Sequence, residues 1–196
     1  MNINYNKLMH EQISSFGDKK PRLLLHCCCA PCSSAVIEKL KDVFEITFYY
    51  YNPNIFPEEE YNLRQEEFKK LDVNLVAEGY NHQDFINIVK GMEHEKEGGM
   101  RCRACIAQRM KQAFIFANNN NFDYATTTLS ISPHKDAKFI NELGAQLEQE
   151  YNINYLYADF KKENGYLRSI QICKDLNIYR QDYCGCEFSI NKNEAK

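Results

Sequence analysis

Eight of the nine cysteines in this 196-residue chain fall in three short groups: "HCCCAPC" at 26–32, "CRAC" at 102–105 and "CGC" at 184–186. Thiolates are soft ligands and nucleophiles, so such grouping points to metal or redox chemistry. Cys102 and Cys105 are spaced to aim both sulfurs at one metal from a helix start, where the helix dipole favours the thiolate. Cys29 and Cys32 make a second CxxC. A disulfide between Cys184 and Cys186 would close a small ring away from relaxed geometry, and strained disulfides are readily reduced. That pair suits reversible two-electron cycling, or else two ligands to a lone metal. Cys173 keeps helical register with Leu167, Ile170 and Leu176 and reads as core. Cys27 ends a strand and reads as packing.

A disulfide framework is excluded by size and compartment. A chain of this length buries a core without staples, and no apolar h-region opens the sequence, so a cytoplasmic protein without a membrane segment is expected. One zinc held by four cysteines competes, as a zinc-binding interaction module, but it leaves three of the seven remaining thiols unexplained. Iron–sulfur chemistry uses four and keeps the others for redox work or a second iron. The net charge of −3 gives no global field for nucleic acid, although local basic patches are compatible with it.

Alternating elements must position these groups. Apolar PRLLLHC reads as a strand, SSAVIEKLKDVF as a helix, FEITFYYYN as a strand and PEEEYNLRQEEFKKL as a helix. VNLVAEGY follows as a strand, then two helices in succession over about 82–117, which read as a helical insertion carrying the second CxxC. FDYATTTLSI, a helix opened by Ser132 and Pro133, INYLYADF and GYLRSIQICKDLN complete the pattern. The expectation is one α/β domain over 1–196, Rossmann-like, with a mostly parallel sheet flanked by helices and with peripheral ends at about 1–18 and 190–196. Ligands of such folds sit beyond the carboxyl ends of the strands, where "HCCCAPC" lies.

"LLHCCCAPCS", "NPNIFPEEEYNLR", "GMRCRACIAQRM", "TTTLSISPHKD" and "IYRQDYCGCEFS" together resemble the cobalamin-independent epoxyqueuosine reductase family, QueH. The likeness spans nearly the whole chain. It implies a sheet related to the ATP-pyrophosphatase and nucleotide-hydrolase (HUP) folds, and an oxidoreductase of queuosine biosynthesis. The enzyme would convert epoxyqueuosine to queuosine at the wobble position of tRNA anticodons, fed by an unidentified electron donor. It further implies a [4Fe-4S] cluster on Cys28, Cys29, Cys102 and Cys105, without cobalamin. Cys184 and Cys186 would be redox thiols or ligands of a second, mononuclear iron, and Cys32 keeps a family position with an open role.

Other candidates come from their places at the expected ligand edge. His26, His134 and Asp136 are candidate proton donors, each with a structural alternative. Asn52, Asn54, Tyr61 and Arg64 are candidate pocket residues, with turn chemistry as the bland alternative. Arg101, Arg103, Arg109, Lys111, Arg168, Arg180 and Tyr183 are candidate contacts to tRNA phosphates and bases, set against ordinary solvated faces. A tRNA-thiolating enzyme on a similar sheet would need a Ser/Gly-rich phosphate loop after the first strand, where this chain has "CCCAPC".

Overall fold

The computed structural model describes residues 3–190. Five parallel strands form one sheet: β1 (Arg22–His26), β2 (Glu45–Tyr50), β3 (Leu75–Ala77), β4 (Tyr124–Thr127) and β5 (Asn154–Tyr155), in the order β3-β2-β1-β4-β5. β1 is central, with Leu25 beside Phe48 on one side and Thr126 on the other. Parallel strands require crossovers, and helices supply them on both faces.

Side-chain alternation along β1 and β2 builds two cores. Leu23, Leu25, Phe48 and Tyr50 face one layer, whereas Leu24, Tyr49 and Tyr51 face the other. The first layer contains α2 (Ala30–Leu40), α3 (Glu58–Glu66) and α7 (Gly165–Asp175). The second contains α5 (Met100–Asn119) and α6 (Ala137–Tyr151). Between β3 and α5 lies the short α4 (His82–Val89), packed on α5. The expected insertion at about 82–117 therefore divides. α5 is the crossover from β3 to β4 and packs on β1 and β4, leaving α4 and its following loop as the additional part.

Four elements differ from the sequence reading. β5 keeps only two residues of INYLYADF and β3 three of VNLVAEGY, as befits edge strands with one partner each. β4 stops at Thr127, whose hydroxyl accepts from the Leu129 amide and turns the chain into a 3-10 segment, Thr128–Ile131. α6 starts at Ala137 rather than at Ser132, because the Asp136 carboxylate accepts from the Lys138 and Phe139 amides and caps it.

The first 18 residues, expected to be peripheral, include a docked helix, α1 (Tyr5–Ser14), with Tyr5 and Met9 buried. Gln12 donates to the Tyr155 carbonyl and accepts from the Tyr157 amide, continuing the hydrogen-bonding edge of β5. The four-residue α8 (Glu187–Ile190) ends the described chain, and the expected periphery at 191–196 lies outside the described residues. No helix among the described residues is long and apolar enough to cross a membrane.

Candidate active site

The cysteines meet at the carboxyl end of β1 because three local structures deliver them there. β1 ends at His26 and α2 begins at Ala30, with Pro31 in its first turn, where the missing amide hydrogen costs nothing. Cys29 is the cap residue, its sulfur accepting from the Cys32 amide at 3.4 Å. The sulfurs of Cys28, Cys29 and Cys32 lie within 4.8 Å of one another, those of Cys28 and Cys29 at 3.7 Å. Alternation sends the neighbouring Cys27 into the first core, where it donates to the Tyr49 carbonyl; Cys173 is also core.

The second group starts α5, where the Gly98 amide donates to Cys102 Sγ at 3.3 Å. The third is the loop before α8. Gly185 there has φ +117, and a Cβ added to it would meet Arg64 Nη1 at 2.9 Å and Ile55 Cγ1 at 3.2 Å. Arg64 is 2 % exposed, pairs with Glu60 at 2.7 Å and donates to the Cys184 and Tyr183 carbonyls. Phe56 N donates to the Gly185 carbonyl at 2.8 Å, fixing the loop from the other side. Gly185→Ala is expected to cost about 1–3 kcal/mol of stability, from the φ penalty and the close contact together. An unchanged denaturant midpoint would contradict this account of the loop.

Cys28, Cys32, Cys102 and Cys184 line one cleft of about 740 Å³. At its side a recess of about 30 Å³ is walled by Cys102, Cys105, Cys184 and Cys186, with Asn54, Arg109 and Lys135. Cys102 and Cys105 stand outside the tight sulfur trio; Cys102 shares the cleft with Cys28 and Cys32, and Cys105 lines the adjoining recess. Two cations define the electrostatics. The Arg109 guanidinium acts on Cys28, Cys105 and Cys184, and is itself held charged by those three thiols against the cost of burial. Lys135 Nζ lies 3.5 Å from Cys184 Sγ, and that thiol's charge raises the ammonium pKa.

The thiols are correspondingly unlike. Hydrogen bonds from Cys29 and Cys32, followed by the charges of Arg109 and Lys135, hold Cys28 well below the usual thiol range. Burial, with the bond given to Cys28, pushes Cys29 up to about 12. Burial also pushes Cys105 up to about 11 and raises Cys186. The donor set fits an anionic, thiolate-bound metal group: soft ligands from two or three chain segments, facing fixed positive charge. The buried Arg109 Nε has no partner among the described residues.

Several sequence candidates turn out to be structural. His26 is fully buried; its Nε2 donates to the Tyr51 carbonyl and its Nδ1 accepts from the Thr127 hydroxyl. Desolvation, aided by Arg109, lowers its pKa to about 3, so it is a neutral tie between strands. Asn52 donates to the Cys27 carbonyl and accepts from Arg109 at 2.5 Å, holding the guanidinium in place instead of facing the cleft. Arg101 is 4 % exposed and donates to the carbonyls of Met92, Glu93 and Glu95, closing the loop before α5. Tyr61 is buried with its hydroxyl on the Glu78 carbonyl. Lys111 pairs with Glu150 and Arg168 with Glu38, neither lining the cleft. Asp136 caps α6, as above, while lining the cleft.

At the cleft stand the sequence candidates His134, Asp136, Arg64, Arg103, Arg109, Arg180 and Tyr183, and in the recess Arg101, Arg109 and buried Asn54, whose Oδ1 has no partner among the described residues. Two residues were not anticipated. Lys135 stands between the His134 and Asp136 already singled out, and Gln181, whose Nε2 donates to Cys29 Sγ at 3.0 Å, stands three residues before Cys184. Both lie inside motifs that carry the family resemblance, "TTTLSISPHKD" and "IYRQDYCGCEFS", and that was the available signal.

Comparisons with known proteins bear on the family of the chain. The family model "Epoxyqueuosine reductase QueH" matches residues 23–192. Among curated relatives, Epoxyqueuosine reductase QueH of Staphylococcus epidermidis is 40% identical, over 97% of this chain and 86% of that protein. The protein of the same name from Thermotoga maritima is 32% identical, over 89% of this chain and 93% of that one. Among solved structures, a predicted subunit of tRNA methyltransferase from Methanocaldococcus jannaschii superposes with TM-score 0.52 at 18% identity, covering 76% of this chain and 73% of that one, a likeness of fold alone. Matched along nearly its full length and carrying its thiols on one edge of a parallel sheet, the chain belongs to the epoxyqueuosine reductase QueH family.

Proposed function

We propose that this protein reduces epoxyqueuosine to queuosine at the wobble position of tRNA anticodons, in the cytoplasm and without cobalamin. Family membership supports the substrate and the reaction. The observation that carries the chemistry is the meeting of thiols from three chain segments around buried Arg109 and half-buried Lys135. Cys28, Cys29, Cys102 and Cys105 would hold a [4Fe-4S] cluster, and Cys184 and Cys186 would serve as redox thiols or hold a second iron. A bound iron–sulfur group supplies electrons singly at low potential.

Opening the epoxide to an alkene takes two electrons and two protons and releases the oxygen as water. The electrons come from an external low-potential donor. The protein's own residues shape the reaction. The cleft takes one nucleoside, being of the size of small-molecule pockets. Lys135 would set fixed positive charge against the leaving oxygen as it becomes negative, from the wall of a narrow recess. Asn54 offers the recess an amide oxygen without another partner.

The test is anaerobic purification followed by iron, sulfide and zinc analysis, an absorption spectrum, and turnover of tRNA bearing epoxyqueuosine with a chemical reductant. A brown, air-sensitive protein with iron and sulfide that forms queuosine without added cobalamin is expected. A colourless protein holding one zinc and inert toward that tRNA would overturn the proposal in favour of a zinc-binding module.

A further inference from the structure

Sorting the arginines by environment exposes a pattern at the mouth of the cleft. Arg101 and Arg109 are consumed inside, and Arg64 is buried beneath the ring of Tyr183, where it holds the loop of Cys184. Two others remain, each laid against an aromatic ring. Arg103 of α5 lies 4.9 Å from the ring centroid of Phe139 of α6, and Arg180 lies 5.8 Å from that of Tyr166 of α7. All four residues line the cleft. The first pair comes from the helix layer on one face of the sheet, and the second includes a ring from the layer on the other face. The cleft lies between them.

We propose that these pairs are two clamps for single-stranded RNA. They grip the backbone on either side of one nucleotide that is turned out of its stack into the cleft. The inference rests on the function proposed above and adds how the substrate is held. A guanidinium lying on a ring keeps its edge available to a phosphate, while the ring restrains the side chain and offers a stacking face for a neighbouring base; Arg180 gives one weak bond, at 3.9 Å, to Cys173 Sγ. Arg103 is half exposed, and its ion pair with Asp136 is long at 3.7 Å and itself half exposed, so a phosphate displaces it at small cost. The thiols and Lys135 lie in the cleft and its recess. A base still stacked in its loop does not present its edge there, and enzymes that modify bases solve this by extrusion.

The experiment uses an anticodon stem-loop RNA carrying 2-aminopurine at the wobble position, with wild type, Arg103→Ala, Arg180→Ala, the double variant, and Arg168→Ala as the control away from the cleft. Binding by wild type is expected to raise 2-aminopurine fluorescence as the base unstacks. Each cleft variant is expected to weaken binding at least about tenfold, the loss of a charged hydrogen bond. The slope of log affinity against log salt should fall by about 0.7 for each arginine removed. Arg168→Ala should match wild type. Cleft variants with wild-type affinity and slope, or binding without a fluorescence rise, overturn the clamps. Turnover of epoxyqueuosine tRNA by wild type is measured alongside, so failure of the clamps and failure of the proposed reaction are read from different samples.

Discussion

Cys28→Ser is expected to abolish binding of the proposed cluster and lower turnover to about one hundredth of wild type, a loss at the top of the range for disturbed metal sites. The reason is specific to this thiol. It receives hydrogen bonds from Cys29 and Cys32 and faces both Arg109 and Lys135, so it is the sulfur most easily kept as thiolate. A serine hydroxyl does not ionise under these conditions and is a hard, poor ligand for iron. The change also removes one of the thiols set against Arg109 and Lys135. Cys27→Ser is the natural contrast: its sulfur points into the opposite core and donates to the Tyr49 carbonyl, a bond that serine can replace. Cys27→Ser should keep its metal and its colour, with some loss of thermal stability. Iron and sulfide content with single-turnover assays on both variants decides the matter, and a Cys28→Ser protein that keeps cluster and activity would remove Cys28 from the metal centre.

The parts of the site that were legible in the sequence are those set by short-range rules. An apolar strand followed by a Pro-containing helix start places Cys28, Cys29 and Cys32 on a turn, and a CxxC after glycines places Cys102 and Cys105 at the head of α5. The arginines were harder because charge alone does not tell a solvated face from a buried one. Spacing did contain the answer: Arg101, Cys105 and Arg109 recur every four residues, so they share one side of α5, while Arg103 lies elsewhere on the helix. The proton-donor role suggested for His26 failed for a tertiary reason, since its neighbours in the sequence say nothing of the Thr127 and Tyr51 groups that enclose it. α1 was missed because its anchoring is sparse. Two buried residues and the Gln12 side chain on the sheet edge hold it, and such contacts leave little periodicity to read. The lengths of β3 and β5 depend on where the sheet ends, which no local pattern records.

Lys135→Met tests whether the fixed charge in the recess takes part in the reaction. Methionine keeps an unbranched stem of similar length, so packing against the cleft is largely preserved while the ammonium is lost. The folded protein does not need this charge for neutrality among apolar groups, since the cation is set against thiols, Cys184 first among them, and Arg109 remains beside them. Retained metal and an unfolding midpoint close to wild type are therefore expected. Turnover should fall by about two to three orders of magnitude, the usual cost of deleting one preorganised group that stabilises a developing oxyanion. The loss belongs in kcat and not KM, because an intact epoxide carries no charge for the ammonium to attract and the interaction strengthens only as the carbon–oxygen bond breaks. Lys135→Arg, with the charge retained but displaced, should recover part of the rate. A Lys135→Met enzyme with undiminished kcat, or one whose defect lies wholly in KM, would show that this lysine serves the thiols or the RNA and leaves the oxygen to another group.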